Sequence, residues 1–317
     1  MSWWLPHKFD EKRPFLEKRA KIVREIHRFF DEQGFLAVET PVLQTMPGAD
    51  VHIHGFKVEN GQYLQNSPEF AMKKLLVAGL PKIYQICPVF RKEERTKLHN
   101  PEFTMLEWYR AGAGYKEIMD DCEALLCALA PEFRYNCKTC DPNKDWQRIS
   151  VEEAFKEYAD IDLNEDLKAC AEKIGVRVAD ADSWEDVFHA VMAEKIEPHL
   201  GSPAPTILYD YPASMAALAR KKPGDERYAE RFELYVCGVE LANAFGELTD
   251  AAEQRARFEA DMAEKQRLYG ESYPIDEDFL AALEHGMPES AGIALGVDRL
   301  IILATGAENI EQVLWAG

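Results

Sequence analysis

The stretch FRKEERTKLHNPEFTMLEWY, residues 90–109, decides how the chain folds. The residues just before it, PKIYQICPVF (81–90), are rich in β-branched and aromatic side chains and predict a strand entering a hairpin. The excursion 91–100 is too charged for a core. PEFTMLEWYRA (101–111) then alternates apolar and polar residues and predicts the strand leaving it. Alternation puts Phe103, Met105, Glu107 and Tyr109 on one side of that strand. Glutamate is depleted in strands, so a face mixing aromatics, carboxylate and phenol reads as a binding floor. The competing interpretation is an exposed sheet edge with solvated charges.

Working outward, FLEKRAKIVREIHRFFDEQ (15–33) predicts an amphipathic helix with Ile22, Ile26, Phe29 and Phe30 on one face and Gly34 as its stop. FLAVETPVL (35–43) reads as an extended strand ending at Pro41, and Ser67-Pro68-Glu69 opens a second helix. Residues 115–130 read as helix and 131–148 as a polar, turn-rich connector. Ser150 with Glu153 forms a capping box, Ser183 with Asp186 suggests a second cap, and 160–200 reads as a helical insertion. TILYDYP and ERFELYVCGVELANAF return to strands, residues 251–285 are helical, and GIALGVDRLIILATG is a strand running into an apolar helix. The pattern is α+β: one domain over 1–317 with a helical insertion around 150–204, without repeats or low-complexity linkers.

Composition narrows the function. Of 317 residues, 47% are hydrophobic, enough for a sizeable core, and the formal net charge is −19. That balance argues against affinity built on neutralising phosphates with a basic surface. No run of apolar residues is long enough to span a membrane, and no signal peptide is recognisable. Seven cysteines, with one isolated Cys137-x-x-Cys140, are most simply read as reduced cytoplasmic thiols. His52 and His54 read as a solvated pair on one strand face, with no third ligand in reach to make a metal site.

Two further constellations carry chemistry. In RFELYVCGVELANAFGEL (231–248), Glu233, Glu240 and Glu247 recur every seven residues in a β-rich run and are expected to line one cleft. Carboxylates crowded there repel, so a cation must offset them: magnesium plus a substrate ammonium, or salt bridges to Arg91 or Arg231. In GIALGVDR (292–299), glycines on a strand allow close approach by a ligand, and Arg299 opens the next helix as a phosphate-binding cation.

Together these stretches resemble the three signature motifs of class II aminoacyl-tRNA synthetases, whose catalytic domain is an antiparallel sheet flanked by helices. GFLAVETPVL with its preceding helix resembles the first motif, FRKEE…HNPEFTMLEWY the second and GIALGVDR the third. The lysyl branch is most similar, sharing RFE…G.E..N.F.EL and DYPA (210–213). Only a short stretch precedes the first-motif helix, so no anticodon-binding OB domain is expected. A stand-alone domain of this kind is similar to the elongation factor P–(R)-β-lysine ligase family, including Ala294 where lysyl-tRNA synthetases have glycine.

The resemblance implies activation of (R)-β-lysine with ATP and Mg2+, then transfer to a lysine side chain of elongation factor P. It implies a homodimer that forms no stable tRNA complex. Arg91 would contact the α-phosphate, and Arg299 the γ-phosphate and one face of adenine. Glu93 and Asn100 would read adenosine, His99 would lie near the phosphates, Phe103 would stack on adenine, and Leu241 and Gly296 would complete the ATP site. Glu233 and Glu240 would hold magnesium. Glu247 and Tyr109 would bind the far ammonium, Phe245 its methylenes and Asn243 the carboxylate. Ser67, Pro68, Glu69 and Glu107 would line the wall for the second amine, with Ala294 shaping the pocket near it. The alternatives are a minimal lysyl-tRNA synthetase-like enzyme and an inactive amino-acid sensor. The second is disfavoured because Arg91, Glu233, Glu240 and Arg299 are all present.

Overall fold

The computed structural model describes residues 3–316; Met1, Ser2 and Gly317, which the sequence-based domain includes, lie outside the described residues. The first helix, α1 (Pro6–Glu32), begins nearer the N-terminus than its apolar face predicts. Pro6 stands in the first turn, where its missing N–H costs nothing. Its buried face carries Arg19 as well as Ile22, Ile26, Phe29 and Phe30, and Phe30 stacks on Tyr84 with ring centroids 4.7 Å apart.

The expected strand at 35–43 is only two short pieces, β1 (Leu36–Ala37) and β2 (Leu43–Gln44), because Pro41 interrupts the ladder between them. β2 pairs with β3 (Tyr63–Leu64) apart from the main sheet. His52 and His54 lie in the loop between β2 and β3 rather than on a strand face. His52 Nδ1 meets the Tyr269 hydroxyl at 2.8 Å, and His54 Nδ1 meets Glu271 at 2.6 Å.

Helix α2 (Glu69–Val77) leads to β4 (Lys82–Phe90) and β5 (Glu102–Ala111), the hairpin read from the opening stretch. After α3 (Tyr115–Leu129) the supposed connector is more structured than expected. It contains the hairpin β6 (Phe133–Tyr135) and β7 (Lys138–Cys140), then β8 (Gln147–Ser150). Both predicted capping boxes form, Ser150 opening α4 (Val151–Ala159) and Ser183 opening α6 (Trp184–Val191), with α5 (Leu167–Lys173) between them. Phe155, Phe188 and Ile196 from this segment share a core with Leu208, Tyr211 and Tyr235 of the sheet.

The remaining strands are β9 (Thr206–Pro212), β10 (Tyr228–Val236) and β11 (Val239–Gly246). Helices α7 (Ala251–Tyr269) and α8 (Glu277–Gly286) follow, then β12 (Ser290–Gly296) and α9 (Val297–Thr305). The main sheet runs β1-β4-β5-β12-β11-β10-β9-β8. Neighbours from β4 to β9 are antiparallel, and only the edge strands β1 and β8 pair in parallel.

Strand alternation splits the sheet into two faces. Leu106, Trp108, Ile293, Leu295, Phe232 and Leu234 join α1, α3 and α9 in the largest core. The opposite face carries the polar side chains of the site.

Candidate active site

The register aligns that polar face into rows. One row crosses five strands as Gln85, Glu107, Ala294, Asn243 and Glu233. The next runs Tyr109, Gly292, Phe245 and Arg231. In both rows the central strand, β12, contributes only a small residue, so the flanking side chains can lean over it. At Gly292 there is no room for more: an added Cβ would overlap the Tyr109 ring and the Glu247 carboxylate.

Towards the Gly296 end of this small-residue strip lies a cavity of about 310 Å³ whose lining includes Arg91, Arg231 and Arg299. Arg91, from the end of β4, sits with its guanidinium 5.2 Å from the Phe103 ring centre. Arg299, in the first turn of α9, donates to the Glu240 carbonyl at 2.7 Å and contacts His99 Nε2. Because arginine only donates, that nitrogen must accept, and the His99 proton sits on Nδ1, facing Thr96 Oγ1 at 2.7 Å. Burial, with Arg299 and Arg91 alongside, lowers the His99 pKa to about 4, so the ring stays neutral at physiological pH.

Glu233 and Glu240 face the same cavity across the β10–β11 hairpin. Arg231 Nη2 donates to Glu233 Oε1 at 2.6 Å and the Tyr235 hydroxyl to Oε2 at 2.8 Å. The Glu240 side chain opens onto the cavity and is 41% exposed there. Burial first and the Glu233 charge second push its pKa up to about 7. Two carboxylates without a third protein ligand suit a magnesium ion that arrives with phosphates, and the raised pKa marks the negative charge such an ion would relieve. Each Glu233 oxygen keeps a free lone pair for it.

Towards the Gly292 end of the strip, carboxylates cluster around a buried lysine. Glu107 accepts from Ser67 Oγ at 2.5 Å and from the Tyr109 hydroxyl at 2.9 Å. Glu69, in the first turn of α2, and Glu247, just past β11, are bridged by Lys73 Nζ at 2.6 and 2.5 Å. Burial and the charge of Glu69 push Glu107 up to about 8, and burial pushes Glu247 up to about 7. Oε1 of Glu247 and Oδ1 of Asn243 are buried without a hydrogen-bond partner among the described residues. Buried acceptors left unpaired at one site are groups that a ligand's donors would satisfy.

Residues 4–315 match the family of class II tRNA synthetases (D, K and N). The elongation factor P–(R)-β-lysine ligase of Edwardsiella ictaluri is 44% identical, with 94% of this chain and 93% of that protein covered. Those of Vibrio cholerae and Haemophilus influenzae are 42% and 41% identical, each covering 94% of this chain and 93% of the relative. The chain belongs to the elongation factor P–(R)-β-lysine ligase family. Its fold is that of the class II synthetase catalytic domain.

Within this family member, most residues expected at the site converge from separate elements. Arg91, His99, Phe103, Glu233, Glu240, Leu241, Asn243, Ala294, Gly296 and Arg299 line the cation-lined cavity. Ser67, Glu69, Glu107, Tyr109 and Glu247 form the carboxylate cluster, with Pro68 just before α2 and Phe245 beside Gly292. Glu93 and Asn100 do not line the cavity. Glu93 is exposed in a left-handed conformation, and Asn100 donates to the Glu102 carbonyl at 2.6 Å. Nor do the three heptad-spaced glutamates share one cleft: seven residues of extended chain span about 23 Å, which separates Glu240 from Glu247.

Sequence reasoning passed over Lys73 and Asp298. The latter lines the cavity wall, pairs with buried Arg19 and accepts from the Thr104 N–H at 2.6 Å, fixing the start of α9 and hence Arg299. Asp298 lies inside the quoted GVDR, so its position was available. Its partner, 279 residues away, was not.

Proposed function

We propose that this chain uses ATP to activate (R)-β-lysine as its adenylate and then transfers the β-lysyl group to a lysine side chain of elongation factor P. The relatives named above carry that activity in their names. The observation that carries it to this chain is the placing of two compartments at opposite ends of the strip Gly292, Ala294 and Gly296. One holds arginines beside Glu233 and Glu240, as a triphosphate with its magnesium requires, and the other is built of carboxylates, as a diamine requires.

The chemistry needs no enzyme nucleophile. An oxygen of the substrate carboxylate attacks the α-phosphorus in line, and the bond to pyrophosphate breaks. Arg91 would stabilise the charge developing on the α-phosphate, and Arg299 would hold the departing end. Neutral His99 would orient Arg299 without adding a further positive charge. Magnesium, when bound, neutralises charge between phosphates, and Glu233 and Glu240 would hold it. Glu247, Tyr109 and Glu107 would fix the two ammonium groups and Asn243 would face the carboxylate, so that the reacting atoms meet in one orientation. In the second step an uncharged acceptor amine attacks the adenylate carbonyl and AMP leaves. Among the described residues no helix is long and apolar enough to cross a membrane. A cytoplasmic site of action, where translation factors work, accords with seven free thiols.

Amino-acid-dependent exchange of pyrophosphate into ATP tests the first step. Exchange with (R)-β-lysine well above that with norleucine, which lacks the terminal amine, is the expected outcome. Equal exchange with both would remove the carboxylate cluster from substrate recognition.

A further inference from the structure

The buried ammonium of Lys73 has no part in the chemistry above, yet it lies at the centre of the pocket assigned to the substrate amines. Its side chain is fully buried on α2 and reaches both Glu69, one turn earlier on the same helix, and Glu247 from the sheet. Burying a charge costs several kcal/mol unless it is paired. Here the pairing is with the two carboxylates a substrate amine would need. A third carboxylate, Glu107, stands against the same group and shares no hydrogen bond with Lys73.

We propose that Lys73 is a specificity-determining positioning residue, a built-in counter-ion that neutralises one of three carboxylates and leaves two negative charges for the two ammonium groups of a diamino acid. The inference rests on the proposed function, because it names what the same pocket counts. With Lys73 in place, a diamino acid closes the charge balance. A monoamino acid leaves one carboxyl without a cationic partner; that carboxyl keeps its proton, and the ligand forfeits the second ion pair.

The groups facing this cluster come from several elements. Glu69 and Lys73 lie on α2, Glu107 and Tyr109 on β5, Cys87 on β4 and Glu247 after β11, while Arg220 acts on Glu247 from behind. Tyr109 and Cys87 are both raised far enough to remain protonated, so the titration belongs to Glu107 and Glu247. Without Lys73 those carboxylates would hold their protons to higher pH, and a protonated carboxyl does not bind an ammonium.

The test is pyrophosphate exchange by Lys73→Gln, which keeps hydrogen-bond donors but not charge, with Lys73→Met beside it and thermal melts for both. The expected result is a KM for (R)-β-lysine raised roughly 30-fold, with kcat and the KM for ATP nearly unchanged. The pH at which that KM levels off should also move up by about one unit. If neither variant folds, calorimetry on the wild-type chain decides. Titration with (R)-β-lysine at neutral pH, in buffers of different ionisation enthalpy, should release protons as the carboxylates ionise, and norleucine should release fewer. An unchanged KM and pH profile in a folded variant, or no proton release by the wild type, overturns the role of Lys73 alone. A wild type that shows no exchange with any diamino acid overturns the proposed function and this inference with it.

Discussion

The two halves of the site solve opposite electrostatic problems with the same sheet. The nucleotide half is an open cavity in which Arg231 is paired with Glu233 but two arginines are only loosely paired with carboxylates: Arg91 lies 3.9 Å from Glu94, and Arg299 lies 3.7 Å from the Glu240 carboxylate. The amine half is closed, and its excess charge is partly neutralised from within by Lys73. A phosphate chain brings high charge and can draw flexible arginines to itself, so an open, loosely paired site suffices. Two ammonium groups on a short chain must be counted and placed, which calls for a rigid wall. The two compartments lie at opposite ends of β12, the nucleotide half towards Gly296 and the amine half towards Gly292, so one substrate can touch both.

Breaking the nucleotide half should have the largest effect. Arg299→Ala should lower pyrophosphate exchange by roughly 100- to 1000-fold with the melting temperature unchanged, because Arg299 is partly exposed. Near-normal exchange would mean the cavity does not bind phosphates.

Next, the floor of the amine half can be overfilled. Gly292→Ala pushes a methyl into Tyr109 and Glu247 and should cost about 1–3 kcal/mol. It should raise the KM for the diamino acid far more than the KM for ATP. Equal rises would show that the two halves are not independent.

A smaller change sharpens selectivity instead of destroying it. Ala294 sits in register between Glu107 and Asn243, so Ala294→Gly enlarges the pocket by one methyl. It should shift the ratio of kcat/KM towards α-lysine by roughly tenfold. An unchanged ratio in competition assays would place the discrimination elsewhere.

The smallest effect concerns stability. Glu107 and Glu247 have pKa values raised to about 8 and about 7, so the folded state holds protons that the unfolded chain has already released. Their contribution is complete below the ordinary glutamate pKa and is lost as pH rises through about 7 to 8. The ligand-free protein should melt about 2–4 °C lower at high pH than near pH 6, and Glu107→Gln should flatten that slope. A slope unaffected by Glu107→Gln would mean that Glu107 is ionised in the empty pocket.

Much of this was legible in the sequence because strands translate spacing directly into position. Alternation alone put Phe103, Met105, Glu107 and Tyr109 on one face, and the glycines of 292–296 marked the strand that others lean over. The capping boxes at Ser150 and Ser183 were equally local signals. What failed depended on distant contacts. Lys73 four residues after Glu69 looks like an ordinary surface helix pair, and only the packing of α2 against β5 and Glu247 buries it. The heptad spacing of Glu233, Glu240 and Glu247 suggested one cleft. The β10–β11 hairpin places the first two together and carries the third to the far end of the strand.

The central claim is that a diamino acid activated between these two halves is handed to a protein. The most direct measurement is the intact mass of elongation factor P after incubation with this chain, ATP, magnesium and (R)-β-lysine, alongside lysine tRNA with α-lysine. The expected result is a gain of one lysyl unit on the factor with little charging of the tRNA. Charged tRNA with an unmodified factor would contradict it and would make the chain a minimal lysyl-tRNA synthetase.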